Sequence, residues 1–296
     1  MKPFLDRIAG GEILVADGAM GSLLISRGLA SGMCPESLNI SETDVLAEIA
    51  GLYLKAGADI IQTNTFGASP FKLAGFGLDH QMEEINRNAV RAVRKAVDGR
   101  AYISASCGPS GKLVLPYGDT HPDDMFENFR KQMAVVVSEG VDVICVETMT
   151  DLQEAVLAVK AIRSVSPSIP ILASMTFDPI PKGFFTIMGN SIKDAALGLQ
   201  AAGADVVGSN CGNGIEDMIL IARVFREVTE LPLLIQSNAG LPQLAGESLI
   251  YPESPEFMSA KSRELVEAGV SIVGGCCGTT PEYIQSMVKI LKGTSP

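Results

Sequence analysis

Three cysteines are placed where they can do chemistry together. Cys211 lies in Gly208-Ser209-Asn210-Cys211-Gly212, and Cys276 and Cys277 are adjacent in Gly274-Gly275-Cys276-Cys277-Gly278. Three thiolates around one ion suit zinc, which favours soft sulfur and tetrahedral geometry. Three protein ligands leave one coordination position open, as in catalytic rather than closed structural sites. A substrate thiol filling that position would lose its proton near neutral pH, whereas a free thiol has a pKa of about 8.5. The thiolate is the competent sulfur nucleophile. On spacing alone two other readings stand beside this one: the adjacent pair as a redox couple, or all three as small buried hydrophobes.

The chain has six cysteines, an even number that invites a disulfide reading. In a large intracellular chain, however, clustered cysteines more often bind metal or do chemistry. Cys145 lies inside an apolar run and reads as packing, and Cys34 and Cys107 have no metal-like company.

The elements that must position the thiols show in a recurring pattern. Gly57-Ala58-Asp59-Ile60-Ile61 matches Gly140-Val141-Asp142-Val143-Ile144 and Gly203-Ala204-Asp205-Val206-Val207, and more loosely Gly269-Val270-Ser271-Ile272-Val273. Each copy follows an amphipathic stretch and opens a short apolar run. Glycine ends the helix because it takes the left-handed C-cap conformation cheaply, and the β-branched run reads as a strand buried on both faces. Four further apolar runs fill the gaps. Strands are predicted near 12–17, 59–64, 101–107, 141–147, 169–176, 204–210, 231–237 and 270–275. Helices are predicted over 43–56, 80–98, 123–139, 151–163, 191–202, 215–229, 258–268 and 280–292. Eight alternations of strand and helix predict an α/β fold, a single (β/α)₈ TIM barrel spanning residues 1–296 as one domain. An open doubly wound sheet is the alternative. The longest irregular stretches, 18–42, 64–79, 107–122, 177–190 and 237–257, all follow strands, at the face where barrels keep their active sites. Cys211 and the Cys276–Cys277 pair then share one rim. Adjacent residues of a straight strand face opposite ways, so both members of the pair reach one ion only if Gly274, Gly275 and Gly278 let the backbone bend.

Length and charge narrow the partners. With 296 residues the chain can bury a large core without disulfide staples. A formal net charge of −11 repels phosphate backbones and argues against nucleic acid. No apolar stretch reaches the roughly 18 residues that span a bilayer, and residues 1–18 lack the apolar region of a signal peptide. The expectation is a cytoplasmic protein with neither a membrane nor a nucleic-acid partner. His80 and His121 sit in polar stretches and read as solvated.

Several segments carry a family resemblance. They are Asp17-Gly18-Ala19-Met20-Gly21, Asn64-Thr65-Phe66-Gly67, Gly108-Pro109-Ser110-Gly111, Glu147-Thr148, Asn210-Cys211, Asn238-Ala239-Gly240 and Gly274-Gly275-Cys276-Cys277-Gly278-Thr279-Thr280-Pro281. In this order, over essentially the whole chain, they resemble the homocysteine S-methyltransferase family, and most closely the homocysteine-binding module of cobalamin-dependent methionine synthase. The resemblance implies a barrel with Zn2+ held by Cys211, Cys276 and Cys277, and Asn238 as a fourth ligand that substrate sulfur displaces. It implies L-homocysteine as the thiol substrate and methionine as product. Asp17 and Glu147, at predicted strand ends, would receive the substrate ammonium. Thr65, Thr148 and the backbone from Gly18 to Gly21 would receive its carboxylate. Without the resemblance the acids read equally well as helix caps.

Methylcobalamin delivered by a separate corrinoid protein is the first expectation for the methyl donor, and S-methylmethionine or S-adenosylmethionine the second. Betaine fits poorly, because a quaternary ammonium favours a cage walled by Trp, and the chain has no Trp. Two segments depart from the family pattern: Asp178–Phe185 lacks its usual Gly-Arg character, and Gly212-Asn213-Gly214 is unusually rich in glycine. A non-catalytic zinc or redox-sensing thiol module is the reading from another class.

Overall fold

The computed structural model describes residues 1–30, 32–245 and 248–293. Its strands are β1 (Leu14–Val15), β2 (Ile60–Gln62), β3 (Tyr102–Cys107), β4 (Val143–Met149), β5 (Ile171–Met175), β6 (Val206–Asn210), β7 (Leu233–Ser237) and β8 (Val270–Gly275). They form one parallel eight-stranded sheet in the order β1-β8-β7-β6-β5-β4-β3-β2. The sheet closes on itself through a parallel bridge between Ala16 and Ile60, and the Asp17 amide donates to the Ile60 carbonyl at 3.0 Å. A helix follows each strand: α1 (Thr43–Lys55), α2 (Met82–Val97), α3 (Pro122–Ser138), α4 (Leu152–Val165), α5 (Ile192–Ala202), α6 (Ile215–Val228), α7 (Pro255–Glu267) and α8 (Pro281–Lys292). The expected (β/α)₈ barrel is the observed one, and the open doubly wound sheet is not. No described helix is long and apolar enough to cross a membrane.

Strand alternation divides the core in two. Ile144 and Val146 of β4 face outward into the layer under the helices. Val143 and Cys145 face inward, where they meet Leu172, Val206, Leu234 and Ile272. Cys145 is fully buried there, as its apolar setting predicts. The short helix Phe4–Ala9, which the sequence pattern does not announce, closes the bottom of this inner core with Phe4 and Ile8. Phe4 meets Tyr102 edge-on, with ring centroids 5.1 Å apart.

The recurring glycine-aspartate pattern has two jobs. Gly57, Gly140, Gly203 and Gly269 take φ of 92°, 76°, 105° and 87°, the left-handed conformation that ends a helix. The aspartates then reach sideways. Asp59 Oδ2 accepts from the Val15 amide, Asp142 Oδ2 from Ile103 and Asp205 Oδ2 from Ile171, each at 2.8 Å. An aspartate at the foot of β2, β4 or β6 thus anchors the strand before it. Asp59 also pairs with Arg7 at 3.1 Å and with Lys292, tying both ends of the chain to the barrel floor. Asp59→Ala removes a charged acceptor from a buried strand amide, a loss of about 2 kcal/mol. Urea unfolding is expected to show a lower midpoint with unchanged m-value, and an unchanged midpoint would make the clamp dispensable.

The loops at the opposite face are built rather than loose. They contain the short helices Gly21–Ser26, Leu38–Ser41 and Pro70–Ala74, and the hairpins Asp178–Ile180 with Gly183–Phe185 and Gln243–Ala245 with Ser248–Ile250. Helix α7 begins at Pro255, three residues before its predicted start, because the Ser254 hydroxyl accepts from the Phe257 amide and caps it. His121 is likewise a cap, accepting at Nδ1 from the Asp123 amide at the start of α3. His80 is exposed.

Candidate functional site

The three sulfurs converge at the rim formed by β6, β7 and β8. Cys211 follows the last residue of β6, Asn238 the last of β7, and Cys276 the last of β8. The three Sγ atoms lie within 4.8 Å of one another, close enough to hold one metal ion. Cys211 and Cys277 are 3.7 Å apart.

The backbone leaves its regular path at both ends of this cluster. Cys211 has φ 61°, a left-handed conformation uncommon for a residue with a side chain. It turns the thiol toward β8 while its own amide still donates to the Gln236 carbonyl at 3.1 Å. On β8 the chain bends after Gly275. The Cys276 amide donates to the Ser237 carbonyl at 2.8 Å, and the Ala239 amide to the Cys277 carbonyl at 2.9 Å. Gly278 then takes φ 81°. Gly275 is required for another reason: a Cβ there would stand 2.2 Å from Thr279 Oγ1. That hydroxyl donates to the Cys276 carbonyl at 2.7 Å and accepts from the Ala19 amide at 3.2 Å, joining the first and last loops. The Asn238 side chain points at the cluster, with Oδ1 accepting from the Cys277 amide at 3.1 Å.

The thiols share what charge they carry. Hydrogen bonds from the Cys276 and Cys277 thiols, with a further one from Asn238, hold Cys211 below the ordinary thiol value. The same contacts push Cys276 up, and Cys277 is raised to about 11. One thiolate is comfortable in this cluster, and a second or third calls for a cation.

Glu147 faces the thiols across a cavity of about 250 Å³, whose wall also includes Gly18, Thr148 and the three cysteines, and a second acid, Asp17, is buried next to that wall. Asp17 lies beneath Gly18, just beyond β1, and is 2% exposed. Its Oδ2 accepts from the Gln62 amide at 2.8 Å, whereas Oδ1 is buried without a partner. Burial pushes the Asp17 carboxyl up to about 8, with the charge of Glu147 adding to it. Burial likewise raises Glu147 to about 7, against the lowering effect of a hydrogen bond from the Ser106 hydroxyl.

Strand β4 does not end at Glu147 as predicted but runs to Met149, with an irregularity. Val146 pairs with Ala173 and Met149 with Met175, so β4 carries one residue more than β5 between these pairs. This bulge puts Thr148 at φ 58° and re-aims the side chains around it.

The structure gathers Gly18, Glu147, Thr148, Cys211, Cys276 and Cys277 around one cleft, with Asn238 against the sulfurs and Asp17 buried next to Gly18 behind the wall. It does not bring Thr65 to the cleft wall. That side chain is fully buried, and its hydroxyl donates to the Ser106 carbonyl at 2.7 Å. The Ala19 amide is likewise spent on Thr279. Gln62, Ser106 and Asn210 are site residues that the sequence reading leaves out. Polar side chains in predicted core strands were the available signal. The glycine-rich Gly212-Asn213-Gly214 now has a steric reason, since a Cβ at Gly214 would stand 2.1 Å from Glu253 Oε1, and Glu253 accepts from the first amide of α6.

Comparison with known proteins shows the fold and the family. Methionine synthases of Mycobacterium leprae (strain TN) and Mycobacterium tuberculosis (strain ATCC 25618 / H37Rv) are 30% and 31% identical over 295 residues. Each match covers 93% of this chain and 24% of the relative, so the chain spans about a quarter of those proteins' length. The crystal structure of the homocysteine methyltransferase MmuM from Escherichia coli, metallated form, superposes with a TM-score of 0.79 at 21% identity, covering 97% of this chain and 99% of that one. At that identity the likeness speaks for the fold. A model of the homocysteine S-methyltransferase family matches residues 14–291, and the chain belongs to that family.

Proposed function

We propose that this barrel transfers a methyl group to the sulfur of L-homocysteine, forming methionine, and that Cys211, Cys276 and Cys277 hold a zinc ion with Asn238 as a displaceable fourth ligand. The observation that carries the proposal is the convergence of three sulfurs in one small cleft that also exposes the buried acid Glu147, with Asp17 behind its wall. The donor set fits the ion. Around a tetrahedral centre with bonds of about 2.3 Å to sulfur, two sulfurs stand about 3.8 Å apart, and Cys211 and Cys277 are 3.7 Å apart. Bound there, zinc would supply a substrate thiolate near neutral pH.

The chain's own residues do the rest. Asp17, with Oδ1 unpartnered, and Glu147 receive the substrate ammonium. That pairing favours their ionised forms against burial. Gly18 and Thr148, both on the cleft wall, donate to the substrate carboxylate. With both ends held, the sulfur meets the donor methyl in line. The new S–C bond forms as the donor–methyl bond breaks. The departing donor keeps the electron pair, and the thiol proton goes to solvent.

The cavity is far too small to enclose a corrinoid, so methylcobalamin would arrive on a partner protein docked over the rim. Large exposed apolar side chains on the rim loops support this, among them Met33, Phe66, Tyr117, Ile180, Ile187 and Leu241. S-Methylmethionine or S-adenosylmethionine is the second choice of donor. A cytoplasmic location suits a cluster that must stay reduced.

The test is methionine formation from L-homocysteine, followed by mass spectrometry, with each donor offered in turn to zinc-loaded protein. A corrinoid protein carrying methylcobalamin is expected to serve best. Turnover with a free sulfonium alone would move the donor to the second choice. Inactivity with every donor, together with a reversible Cys276–Cys277 or Cys211–Cys277 disulfide, would favour a redox module.

A further inference from the structure

Asn210 is the last residue of β6, next to Cys211, and its side chain is fully buried. Its Oδ1 accepts from the Thr148 amide and from the Ser174 hydroxyl, both at 2.7 Å. Its Nδ2 donates to Thr148 Oγ1 at 2.7 Å and lies 3.9 Å from Cys276 Sγ. Two acceptor and two donor capacities are all used, the most a carboxamide offers. Both bonds to Thr148 close on a residue held at φ 58°, within the extra turn of β4 that follows Glu147. A left-handed threonine persists only where its surroundings over-determine it, and the amide clasp does so. The same amide also reaches Cys276 Sγ, at 3.9 Å.

We propose that Asn210 is a positioning residue for both halves of the site. It holds the bulge that aims Glu147 into the cleft, and it gives Cys276 an N–H···S hydrogen bond that draws electron density from the sulfur. The inference rests on the metal-binding reading above. No other side chain of this size does both. Aspartate would keep the two acceptors and lose both donors, and serine would reach neither Thr148 nor Cys276 at once. Partners behind metal ligands tune affinity by roughly 10–100-fold when removed.

Cobalt(II) in place of zinc makes the sulfur visible, because its thiolate-to-metal charge-transfer band follows the electron density on sulfur. Asn210→Asp and Asn210→Ser are expected to move that band to longer wavelength. They should also weaken cobalt retention against a chelator by roughly 10–100-fold. Thr148→Gly, which relieves the left-handed strain and leaves Nδ2 facing Cys276, is expected to leave the band in place. A measurement free of any folding risk uses the parent protein loaded with NMR-active cadmium, in which a side-chain amide proton of Asn210 is expected to show scalar coupling to the metal. Absence of that coupling, or Asn210 variants that lose thermal stability while their band stays put, would overturn the positioning role and leave metal binding intact. A parent protein that takes up no cobalt, cadmium or zinc with its thiols reduced would instead overturn the metal reading beneath it.

Discussion

Cys211→Ala is expected to yield a folded barrel that holds almost no zinc and makes methionine at least about 10³-fold more slowly. Two effects multiply. With a pKa of about 8.5, a free thiol is only a few per cent ionised at neutral pH, so losing the means of ionising it costs about 30-fold. A sulfur no longer fixed in line with the methyl group loses a further factor of about 10². The fold is expected to survive. Cys211 is only partly buried, and its backbone bond to Gln236 does not depend on the thiol. Alanine inherits the same left-handed φ that cysteine already bears. Metal analysis, circular dichroism and turnover on one preparation decide the matter. A variant that keeps one zinc per chain, or full turnover without zinc, would reduce the thiols to packing.

Asp17→Asn is expected to act away from the sulfurs, raising the KM for L-homocysteine about 10- to 100-fold while zinc content stays at the parental level. The magnitude is that of a hydrogen bond between buried charged partners, about 1.5–3 kcal/mol. Asparagine can still accept from the Gln62 amide at the place of Oδ2, but it then turns an N–H₂ group toward the ammonium.

The pH dependence follows with a definite sign. Asp17 is raised by burial to about 8, far above its unfolded value. A carboxyl raised in the folded state costs stability as pH climbs from its unfolded pKa to its folded one. The parent is therefore expected to lose stability between about pH 4 and pH 8 through this group, and Asp17→Asn to be spared that loss. Substrate affinity runs the other way, because an ammonium selects the carboxylate. L-Homocysteine should bind the parent more tightly as pH rises toward 8, with protons released on binding, and the variant should lose this contribution. Thermal unfolding and calorimetric titration across that range measure both. A parent whose affinity falls over this window would remove Asp17 from the ammonium site.

How much of this was legible beforehand differs from residue to residue. The barrel was, because its signals are local: β-branched runs buried on both faces, helical periodicity between them, and glycines such as Gly57 and Gly203 at left-handed caps. Cys211, Cys276 and Cys277 were also legible as a group, since strand order alone carries their positions to one rim. The aspartates of the repeat were visible, but their grip on the amides of Val15, Ile103 and Ile171 was not. Thr65 and Thr148 looked equivalent, yet one is spent on the Ser106 carbonyl and the other stands at the cleft.

The sequence by itself determined the alternation of elements, the face on which the loops gather, and the meeting of three cysteines there. Tertiary structure alone decided which polar groups keep spare hydrogen-bonding capacity at that face. The extra residue in β4, the turn at Cys211 and the unpartnered oxygen of Asp17 all belong to this second class. The hydrogen bonds that shape this face join residues far apart along the chain: Asn210 is 62 residues from Thr148, and Thr279 is 260 from Ala19. Periodicity reports which face of an element is apolar, a property of neighbouring residues. Whether a buried oxygen is satisfied depends on groups that only the closed barrel brings within hydrogen-bond reach.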